Sequence, residues 1–175
     1  MLSLTNLDAA TRVHMRSEIE ADIASDLLYQ SPRLSDRGVA DYPSLLLDAA
    51  DAGTDASLAN ELNADGRLKD TETATRNGKT FSKQVPVNAA DTLAEGEFNR
   101  FYARGLCLRA LAEGQTHVRV YRATAVAAPR PASEAMIGQL VDAQALVNDL
   151  RQSSGVEPAL GLPPGPNSGL SVELP

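Results

Sequence analysis

The chain has 175 residues, a formal net charge of −7, 43% hydrophobic content, 4% aromatic content, no Trp and one Cys. That length fits one domain, or one domain with appendages, and so few aromatic residues predict a small core. The acidic balance argues against general attraction to nucleic acid or anionic membranes. A lone Cys107 forms no intramolecular disulfide and fits a reducing compartment. No apolar run approaches the ~18 residues of a membrane span, and the first residues lack the layout of a signal peptide.

In chain order, Leu4 to Tyr29 reads as a long helix capped by Asn6 or Thr5. Leu7, Ala10, Val13, Ser17, Ala21, Ala24 and Leu28 form one stripe at helical spacing, beside a second of Ile19, Ile23 and Leu27. These small residues suit close helix packing. Pro32 ends the segment. Tyr42-Pro43 opens a second helix that runs to Gly53. Thr54 or Asp55 caps a third, "ASLANELNADG". Together residues 43–64 form a helical hairpin with the outline of a helix-turn-helix. The following stretch is polar, and Asn77-Gly78 predicts a β-hairpin with Phe81 and Val85 in its return strand.

Asn88 caps the next helix, which extends to about Ala112. Phe98, Phe101 (or Tyr102), Gly105, Leu108 and Leu111 mark its buried face and the core of the protein. Gly114 ends it. In "THVRVYRATAV", Val118 and Val120 alternate with Arg119 and Tyr121, as in a strand. "AAPRPAS" reads as extended, with Ala127–Pro131 an arm, and Asp142 caps a short helix from Ala143 to Arg151. The fold class is therefore mainly α with a small β element (α+β). A single mostly helical domain spans residues 1–157. Residues 158–175, which include "GLPPGPNSGLSVELP", form an extended Pro/Gly-rich C-terminal arm. Leu170, Val172 and Leu174 alternate with Ser171 and Glu173, so the arm can add a strand to a sheet edge.

Residues with reactive side chains are few. His14 has only Glu18 at helical spacing and His117 stands alone, so no metal site and no cofactor are expected. Cys107, between Leu106 and Leu108, reads as a buried and inert thiol, and the chain is not expected to be an enzyme. The helix-turn-helix alternative makes residues 43–64 the DNA reader of a small regulator. Asp55 and Glu61 stand against it, because the reading segment would carry no basic residue before Arg67.

The arginines are more suggestive. Residues 95–130 are net basic between acidic ends. Arg100, Arg104, Arg119, Tyr121 and Arg130 are candidates to grip acidic segments of a partner, since a guanidinium pairs with carboxylates through two parallel bonds. With Leu170, Val172 and Leu174 of the arm they make up the expected partner-binding set.

Three stretches, "EGEFNRFYARGLCLRALAEG", "VRVYRATAVAAPRPASEAMIG" and "GLPPGPNSGLSVEL", resemble uncharacterised small virion-associated proteins of tailed phages and prophages. The resemblance covers the chain from Glu95 onward and carries over no catalytic residues. It implies a structural protein of the virion, assembled in the bacterial cytoplasm. The expected role is to bind or bridge capsid subunits (decoration, cement, head completion or neck). Its partners would be major capsid or neck proteins, or copies of itself, met through extended arms.

Overall fold

The computed structural model describes residues 1–64, 66–156, 158–163 and 169–175. Along them run α1 (Ala9–Ala24), α2 (Asp36–Ala52), α3 (Asp55–Asn63), β1 (Thr71–Arg76), β2 (Lys79–Gln84), α4 (Ala89–Ala112), β3 (His117–Arg122), α5 (Pro131–Met136), β4 (Leu140–Asp142), α6 (Ala143–Gln152) and β5 (Leu170–Glu173). This is an α+β fold of helices around two small sheets. No helix among the described residues is long and apolar enough to cross a membrane.

The most aromatic segment becomes the centre. α4 buries Phe98, Phe101, Tyr102, Leu106 and Cys107 on different faces, together with Ala94, Ala103, Gly105 and Ala110. A helix buried all round must be covered on every side. α1, α3 and α6 pack along α4, and the β3–β5 sheet covers another part of it. Small residues on α4 let those neighbours approach closely.

α1 departs from expectation in length and in face. It starts after Asp8, whose side chain accepts the Thr11 N–H at 3.1 Å. Asn6 is committed elsewhere: its side-chain oxygen accepts the Leu174 N–H at 2.9 Å. At the far end Asp26 takes a left-handed conformation with φ 56°, which turns the chain away before Leu27. The buried face is Thr11, Met15, Glu18, Ile19 and Asp22, whereas Val13, Ile23 and Leu27 are exposed. Of the expected stripes only Ile19 lies on the core-facing side, which carries two carboxylates.

α2 begins seven residues before Pro43, at Asp36, because Ser35 caps it by accepting the Gly38 N–H at 3.1 Å. Pro43 lies inside the helix, where it supplies no backbone donor to the preceding turn. Gly53 ends α2 as expected, and Thr54 forms a reciprocal capping box with Ser57.

The hairpin is as expected. Asn77 (φ 51°) and Gly78 (φ 73°) make a two-residue turn that sets Arg76 opposite Lys79. Val85 lies just beyond β2. In the second sheet β3 is central, with order β4-β3-β5 and antiparallel pairing throughout. Val118 and Val120 face the core, paired with Val141 and Val172. Two corrections fall in this region. Pro131 opens the short helix α5 rather than closing an extended arm, and the three-residue β4 had no sequence signal. Asp142 caps α6 by accepting the Ala145 N–H at 2.7 Å.

The C-terminal segment is corrected more substantially. Residues 164–168, the middle of the expected arm, lie outside the described residues. On either side the chain is part of the body: Leu162 is buried, and Leu170 and Val172 enter the core within β5.

Two glycines of α4 give opposite predictions. A Cβ at Gly105 would lie 2.7 Å from the Met15 backbone nitrogen of α1, so something must shift. A Cβ at Gly96 meets nothing within 4 Å. Gly96→Ala is expected to stabilise the protein by ~1 kcal/mol through helix propensity. Gly105→Ala is expected to destabilise it by ~1–2 kcal/mol, since overpacking outweighs the same propensity gain. Urea unfolding of the two variants checks the reversal of sign.

Candidate functional site

The expected partner-binding arginines separate once their neighbours are known. Arg104 is 1% exposed. It donates from Nε to Glu18 at 2.7 Å and from Nη1 and Nη2 to Asp22 at 2.6 and 2.9 Å. Its guanidinium also lies over the Phe101 ring, 4.9 Å from the centroid. Arg151 of α6 grips the same Glu18 at 2.9 and 2.5 Å. Burial pushes the Glu18 carboxyl up, but hydrogen bonds from Arg151 and Arg104, with their charges, outweigh it and hold the group below its ordinary value. The expectation that Arg104 reaches a partner is corrected: its counter-ions are internal, 86 and 82 residues away in sequence.

Arg100 is corrected in the same way. It is buried and donates from Nη1 to the Ser153 carbonyl at 2.9 Å and from Nη2 to the Leu150 carbonyl, which holds the end of α6. Tyr121 is half-buried and tied to the N-terminal segment: its hydroxyl donates to the Ser3 carbonyl at 2.8 Å and accepts the Thr5 N–H at 3.1 Å. Leu170 and Val172 are core residues. Leu174 is half-buried against them. Asn99 locks the strand by donating to the Leu170 carbonyl at 2.8 Å and accepting the Ser171 hydroxyl at 2.6 Å. Of the expected set, only Arg119 and Arg130 present exposed residues, and Arg119 has Glu173 of β5 at 3.8 Å. These residues do not form one surface.

Other candidates find their places too. Cys107 is buried, and burial pushes its thiol up to about 12, which keeps it protonated. Glu18, the only acid spaced to join His14, is spent on the two arginines. In the expected DNA reader, the exposed side of α3 carries Ser57, Asn60, Glu61 and Asn63 and no basic residue.

Two features were not singled out from the sequence. One is the β1–β2 hairpin. β2 is exposed at every position, including Phe81 at 45%, and the strands pack mainly on each other. Glu72 ties it to the body through Arg33 at 2.7 Å and pairs across the strands with Lys83 at 2.9 Å. Asn77-Gly78 revealed the turn but not how far the strands stand clear of the body.

The second is a cleft of about 430 Å³ beside the first half of α4, lined by Tyr29, Leu93, Glu97, Arg100, Leu150 and Val156 among others. Glu97 is 8% exposed and receives no hydrogen bond from a described residue. Burial pushes its carboxyl up to about 7, with Arg100 and Arg104 drawing it down and Asp22 adding to the rise. Nearby, the buried Nε of Arg100 and the buried Tyr42 hydroxyl have no hydrogen-bond partner among the described residues. An i,i+3 Glu–Arg pair is ordinary on an exposed helix, so only the burial of α4 distinguishes Glu97 and Arg100.

No protein-family model, no curated protein and no solved structure matches the chain.

Two stability predictions follow from these buried charges. Arg104→Met is expected to cost ~3–5 kcal/mol, because it strands the buried Asp22 carboxylate and leaves Glu18 to Arg151 alone. Adding Glu18→Gln and Asp22→Asn should recover much of that loss, and denaturant unfolding of the series checks it. Folded Glu97 holds its proton more tightly than the unfolded chain does. Its contribution to stability is therefore lost as pH rises from about 4.5 to about 7 and is level above that. Glu97→Gln should remove this loss and raise stability at pH 8 by on the order of 2–3 kcal/mol, with little change at pH 4. Paired unfolding curves at the two pH values test it.

Proposed function

We propose that this chain is a non-enzymatic structural protein of a phage particle, binding or bridging capsid or neck subunits, or further copies of itself, through the β1–β2 hairpin. The observation that carries this reading is the exposure of that hairpin, at every position of β2 and at all of β1 but Glu72 and Ala74. A two-stranded hairpin gains little stability alone in water. Its two outer edges offer rows of backbone donors and acceptors, the template for adding a strand from another chain.

Charge favours the same use. The hairpin carries Arg76, Lys79 and Lys83 against Glu72 in a chain of net charge −7. It is therefore complementary to acidic surfaces, including that of a second copy. Exposed Phe81 supplies an apolar anchor between these charges. The resemblance of the second half to virion-associated proteins supports a place in the particle. In this reading the hairpin is the arm. The closing strand belongs to the body that positions it.

The test replaces residues 72–83 with a short Gly-Ser linker. The shortened chain is expected to keep its helical circular dichroism and its unfolding transition. Its incorporation into particles assembled in its presence should fall at least tenfold, as read by sedimentation and quantitative blotting. Incorporation at the full-length stoichiometry would overturn the proposal.

A further inference from the structure

The cleft beside α4 holds polar groups that the fold itself leaves unsatisfied. Arg100 is 5% exposed, lines the cleft, and makes no ion pair among the described residues. Two of its five N–H donors reach carbonyl oxygens, and the enclosed Nε has no partner among the described residues. Glu97, one turn earlier on the same helix, lines the cleft without a hydrogen bond from a described residue. Buried polar atoms without partners are few in folded proteins, and each calls for an explanation. A buried cation without a counter-ion is costlier still.

An anionic oxygen seated in the cleft would answer both groups. It accepts from the unused Nη donors of Arg100 and from Glu97 when that carboxyl is protonated. The rest of the lining is largely apolar, with Leu93, Leu150, Val156, Pro158 and the Tyr29 ring. The volume of about 430 Å³ is in the range of small-molecule sites. A doubly charged phosphate suits it poorly, because Glu95 and Glu97 line the same cleft and Arg33 is already paired with Glu72. We propose that this cleft binds a small monocarboxylate with an apolar body, the carboxylate received by Arg100 and Glu97.

Binding then takes up a proton. The charged and titratable groups around Glu97 are Arg100 and Arg104 on its own helix, Asp22 on α1 and the Tyr42 hydroxyl on α2. Arg104 and Asp22 neutralise each other by direct pairing. The incoming carboxylate therefore acts on Glu97 against Arg100 alone, and favours the protonated form.

The experiment is calorimetric titration of the full chain with benzoate and hexanoate at pH 6 and pH 8. Benzamide, hexanamide and hexylamine serve as controls. At least one carboxylate is expected to bind saturably, about tenfold more tightly at pH 6 than at pH 8, with the amides and the amine at least tenfold weaker. Glu97→Gln should bind equally at both pH values. Gly96→Leu points a side chain into the cleft from a position where a Cβ meets nothing within 4 Å. It should fold normally and lose binding. The proposal is overturned if neither carboxylate binds, if the amides bind as well as the acids, or if folded Gly96→Leu retains full affinity.

Discussion

The buried guanidinium of Arg104 fixes how the helices meet. It stands where α1 crosses α4, beside the Gly105–Met15 contact. Its bonds to Glu18 and Asp22 admit one rotational setting of α1. Arg151 extends the cluster to α6 through the same Glu18. Desolvating such charges costs several kcal/mol, which their mutual attraction offsets only with good geometry. Leu or Ile at these positions could match the net stability. The ionic cluster discriminates instead: turning α1 by one residue would leave two carboxylates and Arg104 buried without partners.

That cluster also explains which parts of the fold were legible in the sequence. Signals confined to a few residues read correctly. Asn77-Gly78 gave the hairpin, Asp142 the start of α6, the alternation around Val118 and Val120 the strand β3, and the aromatic residues of α4 the core. The core-facing side of α1 did not. A hydrophobic stripe is the usual mark of a buried helix face, but here the face carries Thr11, Glu18 and Asp22, while Val13 is left in solvent. Those polar residues are acceptable inside only because their partners arrive from α4 and α6. Nothing local announces them. The start of α2 failed for a different reason: Pro43 resembles a first-turn residue, and the Ser35 cap outweighed it.

The same reasoning accounts for the candidate site. Arg100 and Arg104 are one turn apart, which on a surface helix makes a basic patch. On α4 the two positions face different surroundings. Arg104 meets two carboxylates. Arg100 meets two carbonyl oxygens and a cleft. Spacing alone cannot separate these fates, because the difference lies in what packs on the helix. Glu97 was invisible in the same way, since a glutamate in a helix is usually solvated.

The closing strand bears most directly on function. A Pro/Gly-rich tail suggests an arm that becomes ordered on a partner. Here its last residues lie beside β3, with Leu170 and Val172 in the core and Asn99, Ser171 and Asn6 holding its backbone and side chains. The tail therefore completes the sheet, and the body is closed where the sequence suggested it was open. Unsatisfied hydrogen-bonding capacity is concentrated instead at the free edges of the β1–β2 hairpin and in the Arg100–Glu97 cleft. The two differ in kind. The hairpin edges are solvated and extended, so only a long partner such as another polypeptide strand can engage them fully. The cleft is small, partly apolar and lined by Arg100, a buried cation that makes no direct ion pair among the described residues. The proposed assembly contact and the proposed small-molecule site thus draw on different residues.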